Sequence, residues 1–549
     1  MQKQTQNFLP AFRKLLAKRG LTDDAAIEAF LFSGLFSLHD PFLMKNMREV
    51  KSRIERAIRN NEKILIHGDY DVDGITGVAV LVYTLRRLGG QYATFLPERE
   101  RDGYGVSETA VREAREQGIG LIVTVDCGIT AKNEIEIARS NGMDVIVIDH
   151  HRLPAEVLPD THLILNPLQE GCAYPFKELS AAGLVFKLSQ ALLGDTALES
   201  LDFVALSTIC DIAPLTGENR ILVKKGLGTL SEKKNLGLRA LAEVAKIKTS
   251  KLDTGHVAFI LGPRLNAAGR MSSPDTALQL LLTSEPREAE SLAKILDAEN
   301  KARQQYEKDV TKEAIQKVER TVNFNRERVL VVDGKGWHVG VIGIVASRLV
   351  EKFCRPAIVI SVEDGMGRGS GRSIKGFHLF EALQASGSLL EEFGGHEQAA
   401  GLSIKEQNIP RLRETINGFA LEHLAPEALK RSVKADMELG LGELTGPFLK
   451  QLELLEPYGI GNPRPVFRSR DLQLKSKARR LYGETYEVVL TDGVLHYQAH
   501  IDEKQMLLCA VATAESLFEA AYSVKTKQWN GLETLLLNVK ELKDQTEAS

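Results

Sequence analysis

Between residues 60 and 170, short runs of aliphatic and β-branched residues alternate with helix-favouring stretches. Five runs have the length and composition of strands: KILIH (63–67), YATFLP (92–97), LIVTV (121–125), DVIVI (144–148) and HLILN (162–166). Uninterrupted apolar strands that alternate with helices are typical of a parallel sheet that is covered on both faces. The sequence therefore predicts an α/β domain built on a doubly wound parallel sheet.

Acidic and imidazole side chains cluster where three of these strands end. The residues are His67, Asp69, Asp71 and Asp73 at the first strand, Asp126 in DCGIT after the third, and Asp149, His150 and His151 after the fourth. Ligands of a doubly wound sheet bind at the carboxyl ends of its strands, so we expect these side chains to meet. Asp211 follows the predicted helix LDFVALSTIC, where its charge opposes the helix dipole and needs a compensating cation.

This set of side chains indicates a site for two metal ions. Carboxylates crowded on alternate positions repel one another and raise each other's pKa. Oxygen and imidazole ligands without thiolate suit Mg²⁺ or Mn²⁺ better than zinc. Two ions about 3.5–4 Å apart would use the whole set, clamp a phosphate and activate a water. The alternative is that each aspartate only caps a turn or a helix, which does not explain why four segments all end in such ligands.

Composition argues against several other classes of protein. The five cysteines lie far apart without a Cys-x-x-Cys pair, which argues against a disulfide framework and a thiolate zinc site. No apolar run has the length of a membrane span, and the first 20 residues lack the apolar segment of a signal peptide. We therefore expect a cytoplasmic protein.

The net charge of −3 means that any polyanion must bind to locally basic surfaces. GKG at 334–336 is not followed by Ser or Thr, so no nucleotide cofactor is expected.

The rest of the chain predicts further domains. The long charged stretch that follows the first domain is free of internal glycine and reads as a linking helix, and a second α/β unit begins with RVLVVDG. The last 120 or so residues alternate as strands do, with Asn530-Gly531 as a hairpin turn, and predict a small antiparallel β-barrel. The predicted division is an N-terminal helical segment at 1–45, the first α/β domain at 46–285, the linking helix at 286–322, the second α/β domain at 323–428 and the barrel at 429–549.

Five motifs in this order resemble those of the DHH phosphoesterase superfamily, and in particular its single-strand-specific DNA exonucleases. They are DYDVDG, DCGIT, DHH, DIAPL and GPRLNAAGRM. The resemblance extends over nearly the whole chain and implies a DHH catalytic domain, a DHH-associated domain containing GGHEQAAG, and a terminal OB-fold. It also implies hydrolysis of single-stranded DNA from the 5′ end towards the 3′ end, with release of mononucleotides, in DNA recombination and repair.

The resemblance implies a role for each matching residue. The first ion would be held by His67, Asp71 and Asp126, and the second by Asp73, Asp126, His150 and Asp211, with Asp126 as the bridge. Asp69 would take a supporting catalytic place near the first ion, and His151 would contact the scissile phosphate and assist the leaving group. The implied cofactors are two divalent cations, Mn²⁺ or Mg²⁺. The implied partners are single-stranded DNA, a single-strand-binding protein and a RecQ-type helicase.

Glycine-rich and basic segments supply the candidate DNA contacts. Glycine allows the backbone to approach a phosphate closely, and arginine forms bidentate hydrogen bonds with phosphate. The candidates are Arg264, Asn266 and Arg270 in 262–274, Arg348 in 337–349, Arg368, Arg372, Ser373 and Lys375 in 367–378, His396 in 394–401, and Tyr458 and Arg464 in 455–467. The alternatives are that the glycines make ordinary tight turns and that the last segment is a proline-rich linker with packed aromatic rings.

Two other functions remain open at this point. A DHH hydrolase of small substrates, such as oligoribonucleotides, 3′-phosphoadenosine phosphate or pyrophosphate, would use the same metal site. A non-catalytic DNA-binding scaffold would have the same fold, although the complete acidic set argues against decay of the site.

Overall fold

The structure is a computed structural model. It describes residues 7–98, 105–154, 158–159, 161–430, 433–513, 515–529 and 532–545. Within these residues the chain forms three β-sheets and one very long helix. The hairpin turn predicted at Asn530 and Gly531 lies outside the described residues, although strands lie on both sides of it.

Two short helices come first, and they pack against the C-terminal domain rather than forming a unit of their own. They are α1 (Pro10–Lys18) and α2 (Asp24–Phe32). Phe12, Leu15 and Leu31 are buried in one cluster with Phe448 and Phe467 of the C-terminal domain. The N-terminal segment is therefore part of the core of the other end of the chain.

The first domain has a five-stranded parallel sheet in the order β2-β1-β3-β4-β5. The strands are β1 (Ile64–Gly68), β2 (Tyr92–Phe95), β3 (Leu121–Val125), β4 (Asp144–Ile148) and β5 (Ile164–Leu165). The chain runs from β1 outward to β2 and then crosses back to place β3 on the other side of β1. The neighbouring ends of β1 and β3 are thus the switch point of the sheet, where ligands bind in such folds.

Helices cover both faces of this sheet and extend the domain. They are α3 (Met47–Arg59), α4 (Val72–Leu88), α5 (Glu108–Glu116), α6 (Lys132–Ser140), α7 (Ala181–Leu193), α8 (Leu201–Cys210), α9 (Gly217–Ser231), α10 (Leu236–Val244), α11 (Thr254–His256), α12 (Gly262–Met271) and α13 (Asp275–Leu282). A single turn of π-helix, Val257–Leu261, lies between α11 and α12. One buried cluster joins α3, α4, α7 and α8 to the sheet, and a second, smaller cluster joins α5 and α6 to its other face.

Helix α14 (Pro286–Thr321) leads from the first domain to the second. The second domain has a mixed sheet in the order β6-β7-β8-β10-β9, in which β6 and β7 are parallel and the other pairs are antiparallel. Its elements are β6 (Leu330–Lys335), α15 (Val339–Phe353), β7 (Ala357–Glu363), β8 (Met366–Arg372), α16 (Leu379–Ala385), β9 (Leu390–Gly395), β10 (Ala399–Lys405) and α17 (Ile409–His423). Both α14 and α15 pack on β6 and β7, since Val318, Val345 and Val359 share one buried cluster.

The third domain is a β-barrel. Its strands follow the order β11-β12-β16-β17-β15-β14-β13, and an extra pairing of β12 with β14 closes the sheet. Its elements are β11 (Met437–Glu438), α18 (Gly446–Glu453), β12 (Phe467–Leu474), β13 (Arg479–Tyr482), β14 (Thr485–Thr491), β15 (His496–Ile501), α19 (Glu503–Ala510), β16 (Phe518–Trp529) and β17 (Leu532–Asp544). Most pairs are antiparallel, while β11 with β12 and β15 with β17 are parallel.

The predicted fold class is confirmed: a doubly wound parallel sheet, a linking helix, a second α/β domain and a terminal barrel. The exact domain boundaries stay predictions. Among the helices that the structure describes, none combines the length and the apolar character needed to cross a membrane. All five cysteines are free thiols, in agreement with their wide spacing.

Candidate metal and phosphate site

The acidic and imidazole residues of the first domain meet at the ends of β1, β3 and β4. Their ligand atoms form three overlapping groups, each within 4.8 Å: Asp69, Asp71 and Asp126; Asp73, His150 and Asp211; and Asp126, His150 and His151. Asp126 belongs to two groups and thus lies between them. Four separate segments of the chain are brought together in this way.

The turn after β1 holds its aspartates through backbone hydrogen bonds. Asp71 caps α4, and its Oδ1 accepts hydrogen bonds from the N–H groups of Asp73 (2.9 Å) and Gly74 (3.1 Å). A Cβ atom on Gly74 would come within 2.5 Å of the carbonyl oxygen of Asp69, so only glycine fits there. Asp126 has φ = +65°, a left-handed conformation that aspartate adopts more readily than most residues.

Asp73 is buried and fully oriented by its neighbours. Its Oδ2 accepts a hydrogen bond from the N–H of Ala181 (2.8 Å), and its Oδ1 accepts from the N–H of Ala182 (2.9 Å) and the hydroxyl of Ser207 (2.6 Å). The two amides belong to the first turn of α7, whose dipole favours a negative charge. The carboxylate is therefore held in place before any cation arrives.

His150 and His151 approach the same carboxylates from β4. His150 Nε2 lies 3.2 Å from Asp126 Oδ1, 3.7 Å from Asp73 Oδ2 and 3.8 Å from Asp211 Oδ2. His151 Nδ1 lies 2.7 Å from Asp149 Oδ1. Asp149 Oδ2 accepts a hydrogen bond from the N–H of Ile129 (3.0 Å), so Asp149 is itself fixed. The sequence had placed Asp149 at the strand end without a role, and the structure shows that it orients His151.

Burial and mutual repulsion shape the electrostatics of the site. Burial, with repulsion from neighbouring carboxylates, raises the pKa of Asp71, raises that of Asp126 well above its usual range and raises that of Asp211 to about 8. Burial opposes the protonation of His151, but the hydrogen bond and charge of Asp149 outweigh it and raise the pKa of His151 to about 9. Burial also raises the pKa of Asp149, and its hydrogen bonds from His151 more than offset this and lower it.

These residues fit divalent cations. Asp126 Oδ1 is buried, and nothing in the described part of the chain donates a hydrogen bond of proper geometry to it, although His150 Nε2 is close. A buried carboxylate oxygen in that state is costly unless a cation binds it. Clustered carboxylates with one or two imidazoles are the ligands that Mg²⁺ and Mn²⁺ accept. The assignment of individual ligands to two ions stays a prediction.

His67 stands apart from the three groups. It is buried, its Nε2 accepts a hydrogen bond from the N–H of Ser107 (3.3 Å), and its Nδ1 lies 3.7 Å from the thiol of Cys127. Both ring nitrogens therefore face protein groups in this arrangement. Its predicted role as a metal ligand stays a prediction.

A cleft of about 250 Å³ separates the metal residues from the second domain. Its walls include Asp71, Asp126, His151, Asp211 and Arg270 of the first domain and Gly340, Gly343, Ser370 and Arg372 of the second. An Nη1–H of Arg270 donates to the carbonyl of Gly340 (3.1 Å), and one of Arg372 donates to the hydroxyl of Ser370 (3.2 Å). Two of the predicted phosphate contacts, Arg270 and Arg372, thus face the acidic site. Sequence reasoning gave no individual role to Gly340, Gly343 or Ser370.

Glycines allow close packing around this cleft, both within the first domain and between the first and second domains. A Cβ atom on Gly269 would lie 2.4 Å from the carbonyl oxygen of Tyr70, and one on Gly340 would lie 2.6 Å from that of Arg270. Burial, together with the positive charges of Arg152 and His151, lowers the pKa of His396. The glycine-rich motifs are therefore sites of close packing around the cleft.

Other predicted DNA contacts have different neighbours. Arg264 Nε donates to Asp297 on α14 (3.0 Å), Asn266 Oδ1 accepts from the N–H of Val72 (3.1 Å), and Ser373 Oγ donates to the carbonyl of Phe377 (2.7 Å). These three side chains join elements of the protein. Whether they also contact DNA stays a prediction.

Among the remaining candidates, Arg368 lines a cavity together with Arg270 and Gly340 beside the cleft. Arg348 pairs with Glu307 and Glu351, while Arg368 and Lys375 are exposed on and after β8. The guanidinium of Arg464 stacks over the ring of Tyr458, 4.4 Å from its centroid. The hydroxyl of Tyr458 donates to the carbonyl of Leu452 (2.7 Å), so the ring is held at the start of the barrel.

Comparison with known proteins gives a consistent set of matches. Family models match the DHH family N-terminal domain at residues 63–208, the DHHA1 domain at 326–422 and the RecJ OB domain at 435–541. The chain is 42% identical over 458 residues to the single-stranded-DNA-specific exonuclease RecJ of Bacillus subtilis, covering 83% of this chain and 58% of that protein. It is 36% identical to RecJ of Escherichia coli, covering 88% of this chain and 87% of that protein.

Solved structures agree with these matches. The crystal structure of RecJ in complex with Mn²⁺ from Thermus thermophilus superposes with a TM-score of 0.83 at 32% identity, covering 97% of this chain and 76% of that one. The corresponding Mg²⁺ complex gives a TM-score of 0.77 at 30% identity, covering 97% and 74%.

Proposed function

Because this chain belongs to the RecJ family of the DHH phosphoesterase superfamily, we propose that it is a metal-dependent exonuclease that degrades single-stranded DNA. The observation that carries the proposal is the pair of ligand groups that meet at Asp126 and face two arginines across a narrow cleft. This arrangement offers a place for cations and a place for phosphate within one site.

Two cations, Mn²⁺ or Mg²⁺, are the cofactors of the proposed reaction. His67 and Asp71 would hold one ion, with Asp69 in a supporting place beside it, and Asp73, His150 and Asp211 would hold the other, with Asp126 shared between the two. Bound cations of this kind lower the pKa of water and neutralise charge on the phosphate. The complexes of RecJ with Mn²⁺ and Mg²⁺ support both choices of ion.

The side chains around the cations orient the substrate and manage protons. Arg270 and Arg372 pair with phosphate oxygens, and the N-terminal turn of α15 beside them adds a dipole that favours an anion. His151, held in one orientation by Asp149, donates a proton to the leaving oxygen. Fixing these groups beforehand removes the need to organise them during the reaction.

The cleft between the first two domains accounts for the proposed selectivity. The cleft beside the metal residues has a volume of about 250 Å³, which supports the proposal that a single strand enters it and a base-paired helix does not. We assign cleavage from the 5′ end towards the 3′ end, with release of mononucleotides, on the family resemblance. The same resemblance supports a cytoplasmic role in recombination and repair, with a single-strand-binding protein and a RecQ-type helicase as partners.

The OB domain and the intact site separate this proposal from its alternatives. A hydrolase of small substrates has no use for the terminal barrel, and a scaffold has no use for the complete acidic set.

The test is to incubate end-labelled single-stranded DNA, duplex DNA and a dinucleotide with Mn²⁺ or Mg²⁺ and to resolve the products by length. Fast release of mononucleotides from long single strands supports the exonuclease. Turnover of the dinucleotide alone would support the small-substrate hydrolase, and no turnover with any metal would support the scaffold.

A further inference from the structure

An apolar groove begins where the metal site ends. It has a volume of about 420 Å³ and runs from the end of α8 past α12 to the turn that precedes the barrel. Ile212, directly after Asp211, stands at its start, and Asn266, which caps the metal-binding turn at Val72, also lines it. The groove therefore lies next to the catalytic centre.

Three large apolar side chains are exposed along this groove. Ile212 is 65% exposed, Phe259 is 80% exposed and Ile460 is 54% exposed. None of the described residues that line the groove is charged. Exposed apolar side chains that lie together beside a binding site indicate that the groove binds an apolar group.

The backbone at two of these residues is unusual. Ile212 has φ = +61°, a strained conformation that a β-branched residue rarely adopts. Phe259 lies in the π-helix Val257–Leu261, and such turns are frequent at functional sites. The fold therefore holds both side chains in the groove at an energetic cost, which is a mark of a functional site.

The groove is firmly built and leads to the OB domain. The N–H of Leu215 donates to the carbonyl of Ile460 (2.7 Å), and the hydroxyl of Thr254 donates to the carbonyl of Tyr458 (2.8 Å). A Cβ atom on Gly459 would lie 2.6 Å from Leu215. The first domain and the start of the barrel thus form one surface, and OB-folds bind single strands.

Positive charges flank the groove. Arg464 stacks on Tyr458 at the end nearest the barrel. Phe259 also borders a neighbouring groove that contains the exposed Lys308 and Lys312 of α14. An uncharged channel between cations suits a chain whose bases are apolar on their faces and whose backbone is anionic.

We propose that this groove binds the nucleobases of the strand on the 3′ side of the cleavage point, with Phe259 as the main stacking surface and Ile212 and Ile460 beside it. The proposal rests on the exonuclease function proposed above and names the part of the site that holds the uncut strand. The metal site takes phosphates, and this groove takes bases as the strand continues to the barrel.

The test is a series of 5′-phosphorylated single strands, each with one abasic site at a successive position. Binding is measured by fluorescence anisotropy with the full chain and with Ca²⁺ in place of Mn²⁺ to suppress cleavage. An abasic site over the groove is expected to weaken binding about tenfold, the usual scale of one lost stack. Phe259→Ala is expected to weaken binding of the intact strand by the same factor and to remove the abasic penalty.

Two features make the result specific. Because stacking involves no ion release, the dependence of affinity on salt concentration should stay the same in Phe259→Ala. The matched control is Phe36→Ala, which removes another highly exposed phenylalanine outside the groove and should leave the abasic penalty unchanged. Ile460→Ser gives a second variant with the same expected direction as Phe259→Ala.

The inference is overturned if Phe259→Ala and Ile460→Ser both bind the intact strand as tightly as the natural protein and keep its abasic penalty. That result would be expected of a docking surface for another protein. Cleavage of unmodified strands by the natural protein is measured alongside. If the natural protein cleaves them while the groove variants bind normally, the exonuclease proposal stands and only the proposed role of the groove is contradicted.

Discussion

The carboxylate of Asp149 holds the imidazole of His151, with 2.7 Å between Asp149 Oδ1 and His151 Nδ1. The same Asp149 oxygen also accepts a hydrogen bond from the N–H of His151 (3.0 Å). The ring is fixed in this way beside the metal residues, and Asp149 acts as a positioning residue for the reaction.

Replacement of Asp149 by asparagine should therefore reduce kcat by about 10–100-fold, as is usual for partners that orient a site residue. KM should change little, because Asp149 does not contact the strand. The raised pKa of His151 depends on Asp149, so the alkaline limb of the kcat profile should move to lower pH in Asp149→Asn. A loss of kcat with an unchanged pH profile would mean that Asp149 has only a structural role.

The same pair should affect stability. The pKa of His151 in the metal-free folded protein is about 9, above its ordinary value. The contribution of the Asp149–His151 pair to the free energy of unfolding is fully present at pH values below the pKa of histidine in the unfolded chain, about 6.5. It is lost as the pH rises through the pKa of His151 in the folded protein. Thermal unfolding of the metal-free protein should show this pH-dependent contribution, and Asp149→Asn should lack it. Parallel pH curves for the two proteins would contradict this expectation.

Asp73→Asn should abolish cleavage while sparing the binding of DNA. The change keeps the size of the side chain but removes the charge that a cation needs, and its single oxygen can accept from only one of the Ala181 and Ala182 N–H groups. We expect a loss of at least about a thousandfold in kcat, since a catalytic metal supplies several kcal/mol. The control is Asp195→Ala, which removes an exposed aspartate of the same domain. Turnover near normal in Asp73→Asn would refute its place at the metal site.

Arg270→Ala should weaken the binding of single-stranded DNA and reduce its dependence on salt. Loss of one phosphate contact makes the plot of log affinity against log salt concentration less steep by about 0.7–0.9. Arg411→Ala, which removes an exposed arginine of α17, is the control and should leave the slope unchanged. An unchanged slope in Arg270→Ala would place that residue outside the phosphate path.

Binding of metal should become stronger as pH rises. Burial and repulsion raise the pKa of Asp211 to about 8, and that of Asp126 also lies well above its usual range. Cations must displace these protons, so the increase in Tm caused by Mn²⁺ should be larger at about pH 8.5 than at about pH 6. Without metal, the folded protein binds more protons than the unfolded chain between about pH 4 and about pH 8, and its stability falls as pH rises.

A control separates this effect from a general response to pH. Asp211→Asn removes one of these shifted carboxyl groups, and its Mn²⁺-induced increase in Tm should depend less on pH. An increase in Tm that is equal at both pH values in the natural protein would show that proton displacement does not govern metal binding.

Local patterns were sufficient to predict the strands and the meeting of the acids. Strands such as LIVTV are buried on both faces and leave an unbroken apolar signature, and the carboxyl ends of parallel strands must share one edge. Asp126 and His150 were predictable on this basis. Asp211 required the further argument about its position at the end of a helix.

Contacts that join distant parts of the chain could not be predicted in this way. Arg264 binds Asp297, and α1 packs under the barrel more than 400 residues away, because of tertiary packing that no local pattern encodes. The role of Asp149 was missed for a related reason, since an aspartate after a strand has the same local signature whether it caps a turn or orients a histidine. The exposed apolar groove depends on the surface positions of Phe259 and Ile460, which only the folded chain brings together.

The proposed function depends on a pair of divalent ions held by the clustered acids. Anomalous diffraction from crystals soaked in Mn²⁺ would locate these ions. Two peaks about 3.5–4 Å apart are expected, with an oxygen of Asp126 beside both. An empty pocket, with these carboxylates bound instead to lysine or amide groups, would contradict the proposal.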